Sequence, residues 1–271
     1  MNQRDITPEY VPLPTGVTLE FALTGPAEAL VLAFVHGLGS SLHQFLPQAE
    51  HFSERYRVLL VSLRGHGGSS APASPVPDDY TPRTLAEDVR ALLAHLDIAE
   101  LHLVGNSLGG LVGYELLAMG QPTLLSLTTF GTTAELHSSR LTYWIVVGSI
   151  RLLGVKGMAA LVGKSATKDR AVGTQLEGMY RRANKDALLL IPRHIADYDY
   201  TPLLRRADLP LLLIQGAQDK DINAALDSTL AALRQAPQGK VVFLEDAGHF
   251  ANMEQPTAFN RILEGFLEVN R

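Results

Sequence analysis

Residues 104–110 read VGNSLGG. Apolar Leu101, Leu103 and Val104 lead in like a strand, and Leu111–Met119 follow at helical spacing. Glycines stand two before and two after Ser107, at Gly105 and Gly109. A tight strand-to-helix turn lifts a serine clear of the backbone but crowds its neighbours, so small residues belong at those two places. The helix beginning there aims free N–H groups at the same spot. A serine hydroxyl is a weak nucleophile until a base takes its proton. The turn therefore predicts a base and an acid elsewhere in the chain.

Both follow downstream. DAGHF places His249 in a turn after an apolar strand and before the closing helix. LLLIQGAQD places Asp219 just past another strand end, with Asp221 two residues on as the alternative acid. The chain order Ser, Asp, His is one in which such triads occur. His249 is expected as general base and acid, and Asp219 as the group that fixes its tautomer. All three are expected at carboxyl ends of strands, where open α/β sheets gather their functional loops. FVHGLGSS, after an earlier apolar strand, supplies close-approaching backbone through Gly37 and Gly39. The N–H groups of Leu38 and Leu108 are the expected oxyanion donors. His36 is expected to be structural.

Strand-like runs VTLEFAL, ALVLAFVHG, RVLLVSLRGHGGSS, ELHLVGNSLGG, TLLSLTTFGTT, LPLLLIQGAQD and GKVVFLEDAGH, several of them breaking into turns at their ends, alternate with helical segments. The alternation predicts right-handed crossovers and an α/β fold with a mostly parallel central sheet flanked by helices. Thr84, three residues before Glu87, is the expected N-cap of the helix in TPRTLAEDVRALLAHLDI. The rhythm fails between Thr133 and Leu209, which reads as a helical insertion.

Composition bounds the rest. The chain has 271 residues, 46% hydrophobic, with a formal net charge of −5 and no long run of one sign. That suits one large core and speaks against a nucleic-acid surface. With no cysteine, disulfides and thiolate chemistry are excluded; the absence accords with a cytoplasmic protein. The N-terminal MNQRDITPEYVPLPTG has no apolar core of a secretory signal. The apolar stretch Leu141–Gly163 is interrupted by Arg151, Lys156 and glycines, so no membrane span is expected there and an apolar lid is. The nine histidines form no metal motif. No metal and no cofactor are expected, and oligomeric state is left open.

These motifs together resemble the α/β-hydrolase superfamily, of the capped small-molecule hydrolase and esterase type. HGLGSSLHQFLPQ is similar to its oxyanion loop, with Phe45 where a tryptophan often stands. LRGHGGSS resembles its glycine turn after the fourth strand, and GNSLGG its nucleophile elbow. IQGAQD resembles its acid loop, which favours Asp219 over Asp221. DAGHFANMEQPTAFNRILEGFL resembles its histidine loop and last helix. The family often has aspartate where this chain has Ser62. A serine nucleophile, rather than aspartate, turns the resemblance away from dehalogenase and epoxide-hydrolase chemistry.

The resemblance implies a helical cap inserted after the sixth strand, residues 134–200, on a core of residues 1–133 and 201–271. It implies a small, largely apolar ester as substrate, cleaved through an acyl-enzyme. Phe45, Trp144 and Phe250 are the implied substrate contacts, with Tyr143, Ile145 and Met158 as further cap lining. Arg181, Arg182, Lys185 and Arg193 are read as a solvated cap face, with one of them meeting a substrate carboxylate as the alternative. Lactone, thioester and carbon–carbon bond hydrolysis use the same triad and stand as alternatives, and a receptor that kept the fold without turnover as a further one.

Overall fold

The computed structural model describes residues 6–270, with side chains throughout except at 140–143. The segment 1–5 of the N-terminal reading and the Tyr143 side chain lie outside the described residues.

An eight-stranded sheet runs through the molecule in the order β1 (Glu9–Pro12), β2 (Thr18–Thr24), β4 (Arg57–Val61), β3 (Val31–Val35), β5 (Glu100–Asn106), β6 (Thr123–Phe130), β9 (Leu211–Gly216), β10 (Gly239–Leu244). The pairs β1–β2 and β2–β4 are antiparallel, and every other pair is parallel. β3, β4 and β9 are buried almost throughout and read as continuous apolar runs, as strands covered on both faces must. One side is covered by α2 (Pro82–His95), α3 (Leu108–Met119) and α9 (Asp227–Gln235), the other by α1 (Leu46–Phe52) and α11 (Pro256–Glu268). On the second face Phe34, Phe45, Phe52, Phe130 and Phe259 form a chain of ring contacts with centroids 4.8–6.4 Å apart.

β1 escapes the alternation rule. EYVP has one buried residue, Val11, and Pro12 ends it; proline is tolerated because the strand is at the sheet edge. The helix cap expected at Thr84 lies one turn earlier. Pro82 occupies the first turn of α2, where a missing N–H costs nothing. The Thr81 hydroxyl accepts from the Thr84 N–H at 3.0 Å, and Glu87 pairs with Arg83 instead.

The cap is inserted after the sixth strand. It holds α4 (Arg140–Ser165), α5 (Arg170–Tyr180) and α6 (Lys185–His194) between two short strands, β7 (Glu135–His137) and β8 (Asp197–Asp199), which pair antiparallel. The chain returns through α7 (Thr201–Arg206) to β9. By length and composition the Trp144–Ser165 part of α4 could cross a membrane, with mean hydropathy 1.8. Its backbone is not helical at Gly154, φ 64° and ψ 176°, so α4 is two helices across a kink.

Two buried polar groups lock the glycine turn after β4. Arg64 forks onto Asp88 of α2 at 2.5 and 2.6 Å, both groups almost fully enclosed. Ser62 donates to Glu20 Oε2 at 2.6 Å and accepts from the Leu42 N–H at 3.0 Å. Glu20 also takes the Gly68 N–H at 2.9 Å. Glu20 on β2 thus brings a carboxylate to the turn in which Ser62 stands.

Candidate active site

β5 ends at Asn106 and α3 begins at Leu108, so Ser107 is the whole of the connection. Its φ of 50° and ψ of −114° are strained for a residue with a Cβ. The strain is held by the Ser107 N–H on the Phe130 carbonyl at 2.9 Å and the Gly110 N–H on the Ser107 carbonyl at 2.8 Å. The flanking glycines have steric reasons: a Cβ on Gly105 would run into the Gly109 carbonyl, and one on Gly109 into the Val35 carbonyl.

Asp219 follows β9 and caps the short helix α8 (Lys220–Asn223). His249 follows β10, ahead of α10 (Ala251–Glu254). His249 Nδ1 lies 2.8 Å from Asp219 Oδ2, while Oδ1 receives the Ile222 N–H at 3.4 Å. Asp219 is buried, whereas Asp221 is exposed on α8. A carboxylate on Nδ1 keeps the proton there and leaves Nε2 as the basic nitrogen.

Ser107 and His249 meet the same strand end. Asn106 Nδ2 reaches the Phe130 carbonyl at 3.2 Å and the His249 carbonyl at 3.3 Å. Gly131, with φ 58°, faces the imidazole closely: a Cβ there would sit 3.2 Å from His249 Cε1. Among the described residues no hydrogen bond joins the Ser107 hydroxyl directly to His249. Such contacts often tighten only when substrate is bound.

The loop after β3 presses on the elbow. A Cβ on Gly37 would lie 2.9 Å from Asn106 Oδ1 and 3.2 Å from Ser107 Cβ. Among the described residues neither the Leu38 nor the Leu108 N–H has a backbone acceptor. His36 fixes this loop from beneath: its Nε2 accepts the Leu63 N–H at 2.9 Å and its Nδ1 faces the Gly37 carbonyl at 2.7 Å. The pattern assigns the proton to Nδ1. Burial, and then the neighbouring His66, push the His36 pKa well below its usual value, so it is a neutral strut.

A buried amide cluster carries no motif and was missed from the sequence. Gln44 Nε2 donates to Asn106 Oδ1 at 2.9 Å and to Asn252 Oδ1 at 3.2 Å. Asn252 Nδ2 returns to the Gln44 carbonyl and to Gln48 Oε1, both at 2.9 Å. The cluster ties the elbow to the helix that follows His249. Its only trace in the sequence is the asparagine beside Ser107.

The expected substrate contacts fare differently. Phe45 is a correction: its ring is fully buried against Phe34 and Phe130 beneath the sheet, because it faces the second core layer and not a pocket. Trp144 and Ile145 are more than half exposed on the outer side of α4, so neither lines an enclosed cavity. Met158 is partly buried inside the cap. Phe250 is buried with Val172, Leu176, Met179 and Met253, bridging cap and core. Arg181, Arg182, Lys185 and Arg193 are exposed, with Arg181 paired to Glu177 at 2.6 Å. An open cleft of about 1430 Å³ lies between cap and core, walled by Asp219, His249, Phe250, Lys164 and Arg170. Ser107 is outside that wall, so the cleft opens on the Asp219–His249 side. Among the described residues no cluster of three His, Asp or Glu side chains could hold a metal ion.

The chain is similar to known proteins over nearly its whole length. The chain is 29% identical to 3-oxoadipate enol-lactonase 2 of Acinetobacter baylyi, over 93% of this chain and 94% of that one. A hydrolase from Pseudomonas aeruginosa superposes with a TM-score of 0.85 at 27% identity, over 96% of this chain and 98% of that one. An enol-lactonase from Burkholderia xenovorans superposes with a TM-score of 0.84 at 26% identity, over 96% of this chain and 100% of that one. The sequence profile described as "Alpha/beta hydrolase family" matches residues 32–262. With an elbow, sheet order and cap of this kind, and a profile match over most of its length, the chain belongs to the α/β-hydrolase family.

Proposed function

We propose that the protein is a serine hydrolase that cleaves a carboxylic ester, or a related acyl bond, of a small and largely apolar substrate. What carries the reading is the 2.8 Å contact of His249 Nδ1 with Asp219, made by an imidazole that lies against the strand end anchoring Ser107. In this reading Nε2 of His249 takes the Ser107 proton as the oxygen attacks the acyl carbon. The carbonyl oxygen becomes an oxyanion facing the N–H groups of Leu38 and Leu108. Collapse expels the alcohol, protonated by His249, and leaves an acyl-Ser107 ester. Water, deprotonated by His249, then attacks that ester; the acid leaves and Ser107 regains its proton. Asp219 holds the ring and offsets its positive charge. Phe250, with the cap residues around it, offers the apolar contact. We take the cap as residues 134–200, a span supported by the β7–β8 pairing at its two ends.

A cyclic ester is the second reading, since two of the similar proteins are named as enol-lactonases. It changes the leaving group's tether and no residue's role. The test is turnover of p-nitrophenyl esters of graded length beside lactones and thioesters, with fluorophosphonate labelling. Ser107→Ala is expected to lose at least about a thousandfold in kcat and all labelling. Unchanged turnover in that variant removes Ser107 from the mechanism.

A further inference from the structure

Helix α4 wears its apolar residues on the outside. Trp144, Ile145 and Leu152 are 56%, 59% and 85% exposed, while Val147 and Ile150 between them point inward. Positions 144, 148 and 152 share one face at helical spacing, so the outward stripe is apolar where a helix facing water is polar. Beyond the kink, Leu161 is exposed as well. Only 17% of the most apolar window of Trp144–Ser165 is buried. Large exposed apolar patches mark interaction sites.

The charges on the same segment have one sign. Trp144–Ser165 contains Arg151, Lys156 and Lys164, all exposed, and no acidic residue, in a chain whose net charge is −5. A second copy meeting this face symmetrically would set these cations against their equivalents. An anionic surface would attract the face and repel the rest of the molecule.

The kink decides between spanning and lying flat. Gly154 divides the segment into arms of about ten residues, roughly 15 Å each, against roughly 30 Å of hydrocarbon. The break would also leave backbone groups unpaired in lipid. The inner face is already occupied: Ile150 and Ala159 pack with Tyr180 and Leu188 in the cap.

We propose that the outer face of α4 docks on an anionic lipid bilayer. Trp144, Ile145, Leu152 and Leu161 enter the boundary between headgroups and acyl chains, and Arg151 and Lys156 lie at the level of the lipid phosphates, while Lys164 faces the cleft. Tryptophan suits that depth, with an apolar ring and one polar edge. Docking needs no turnover and is independent of the proposed hydrolase chemistry.

Flotation of the full chain with vesicles tests it. Binding is expected to vesicles of phosphatidylcholine mixed with phosphatidylglycerol, and not to phosphatidylcholine alone. Raising the salt, or combining Arg151→Glu with Lys156→Glu, is expected to weaken binding about tenfold or more. Leu152→Ser with Leu161→Ser should do the same, with circular dichroism confirming an intact fold; the salt series on the unaltered chain serves if a variant fails to fold. Absence of binding, or equal binding to both vesicle types, overturns the proposal. So does a lipid-free dimer that the leucine variant dissolves, which assigns the face to a second copy. Resistance to alkaline extraction from the vesicles overturns it in favour of a span.

Discussion

At the scale of single residues, the elbow is a set of steric exclusions. Ser107 tolerates a positive φ because neighbouring backbone hydrogen bonds over-determine it. Gly109 has no room for one methyl group, since the obstacle is the Val35 carbonyl and not a side chain that can swing away. Gly109→Ala is therefore expected to cost about 2 kcal/mol or more, and to lower turnover with it. Urea unfolding beside an ester assay checks both; a variant of unaltered midpoint contradicts the close approach. Glu20 is the second residue of consequence. Its carboxylate takes the Ser62 hydroxyl and the Gly68 N–H, and Tyr10 donates to it at 3.2 Å. Glu20→Ala strands these donors and should destabilise by about 2 kcal/mol, read from the same unfolding curves.

At the scale of elements, most sheet and helix positions were legible because apolar period and turn chemistry agree. α11 and α2 carry clear amphipathic stripes, and β3, β4 and β9 are short apolar runs bounded by turn residues. The cap of α2 was misread because a capping-box pattern at Thr84 looks complete in one dimension. Pro82 decides otherwise by fixing the first turn so that Thr81, one turn before Thr84, is the cap. Thr81→Ala should cost about 1 kcal/mol and Thr84→Ala less, which thermal melts of the two variants compare directly. β1, β7 and β8 were not legible: strands of three or four residues at an edge or in a two-stranded ribbon gain their order from pairing.

For the whole molecule, buried neutral imidazoles make stability fall in acid. Burial lowers His66 and His102 to about 4 from the usual 6.5, and lowers His36 well below its usual value as well. Above pH 6.5 these rings are neutral folded or unfolded, so they leave stability independent of pH. Between pH 6.5 and about 4 the unfolded chain binds the protons that the folded chain refuses, so stability falls as pH falls. Each such ring adds a slope of about 1.4 kcal/mol per pH unit. Chemical denaturation at stepped pH reads that slope, and His102→Gln should reduce it; a flat profile over this range contradicts the assignment.

The sequence by itself determined the family and the order of its parts. A strand-to-helix serine turn, a glycine loop, an acid loop and a histidine loop are local patterns, each specified by steric or proton-transfer needs of adjacent residues. Tertiary structure alone decided which faces those residues meet. Phe45 turned into the core, the Gln44–Asn252 amides closed on the elbow, and the apolar side of α4 turned to solvent. Such outcomes depend on which elements pack together across long stretches of chain, and the spacing of residues along one strand or helix does not encode that.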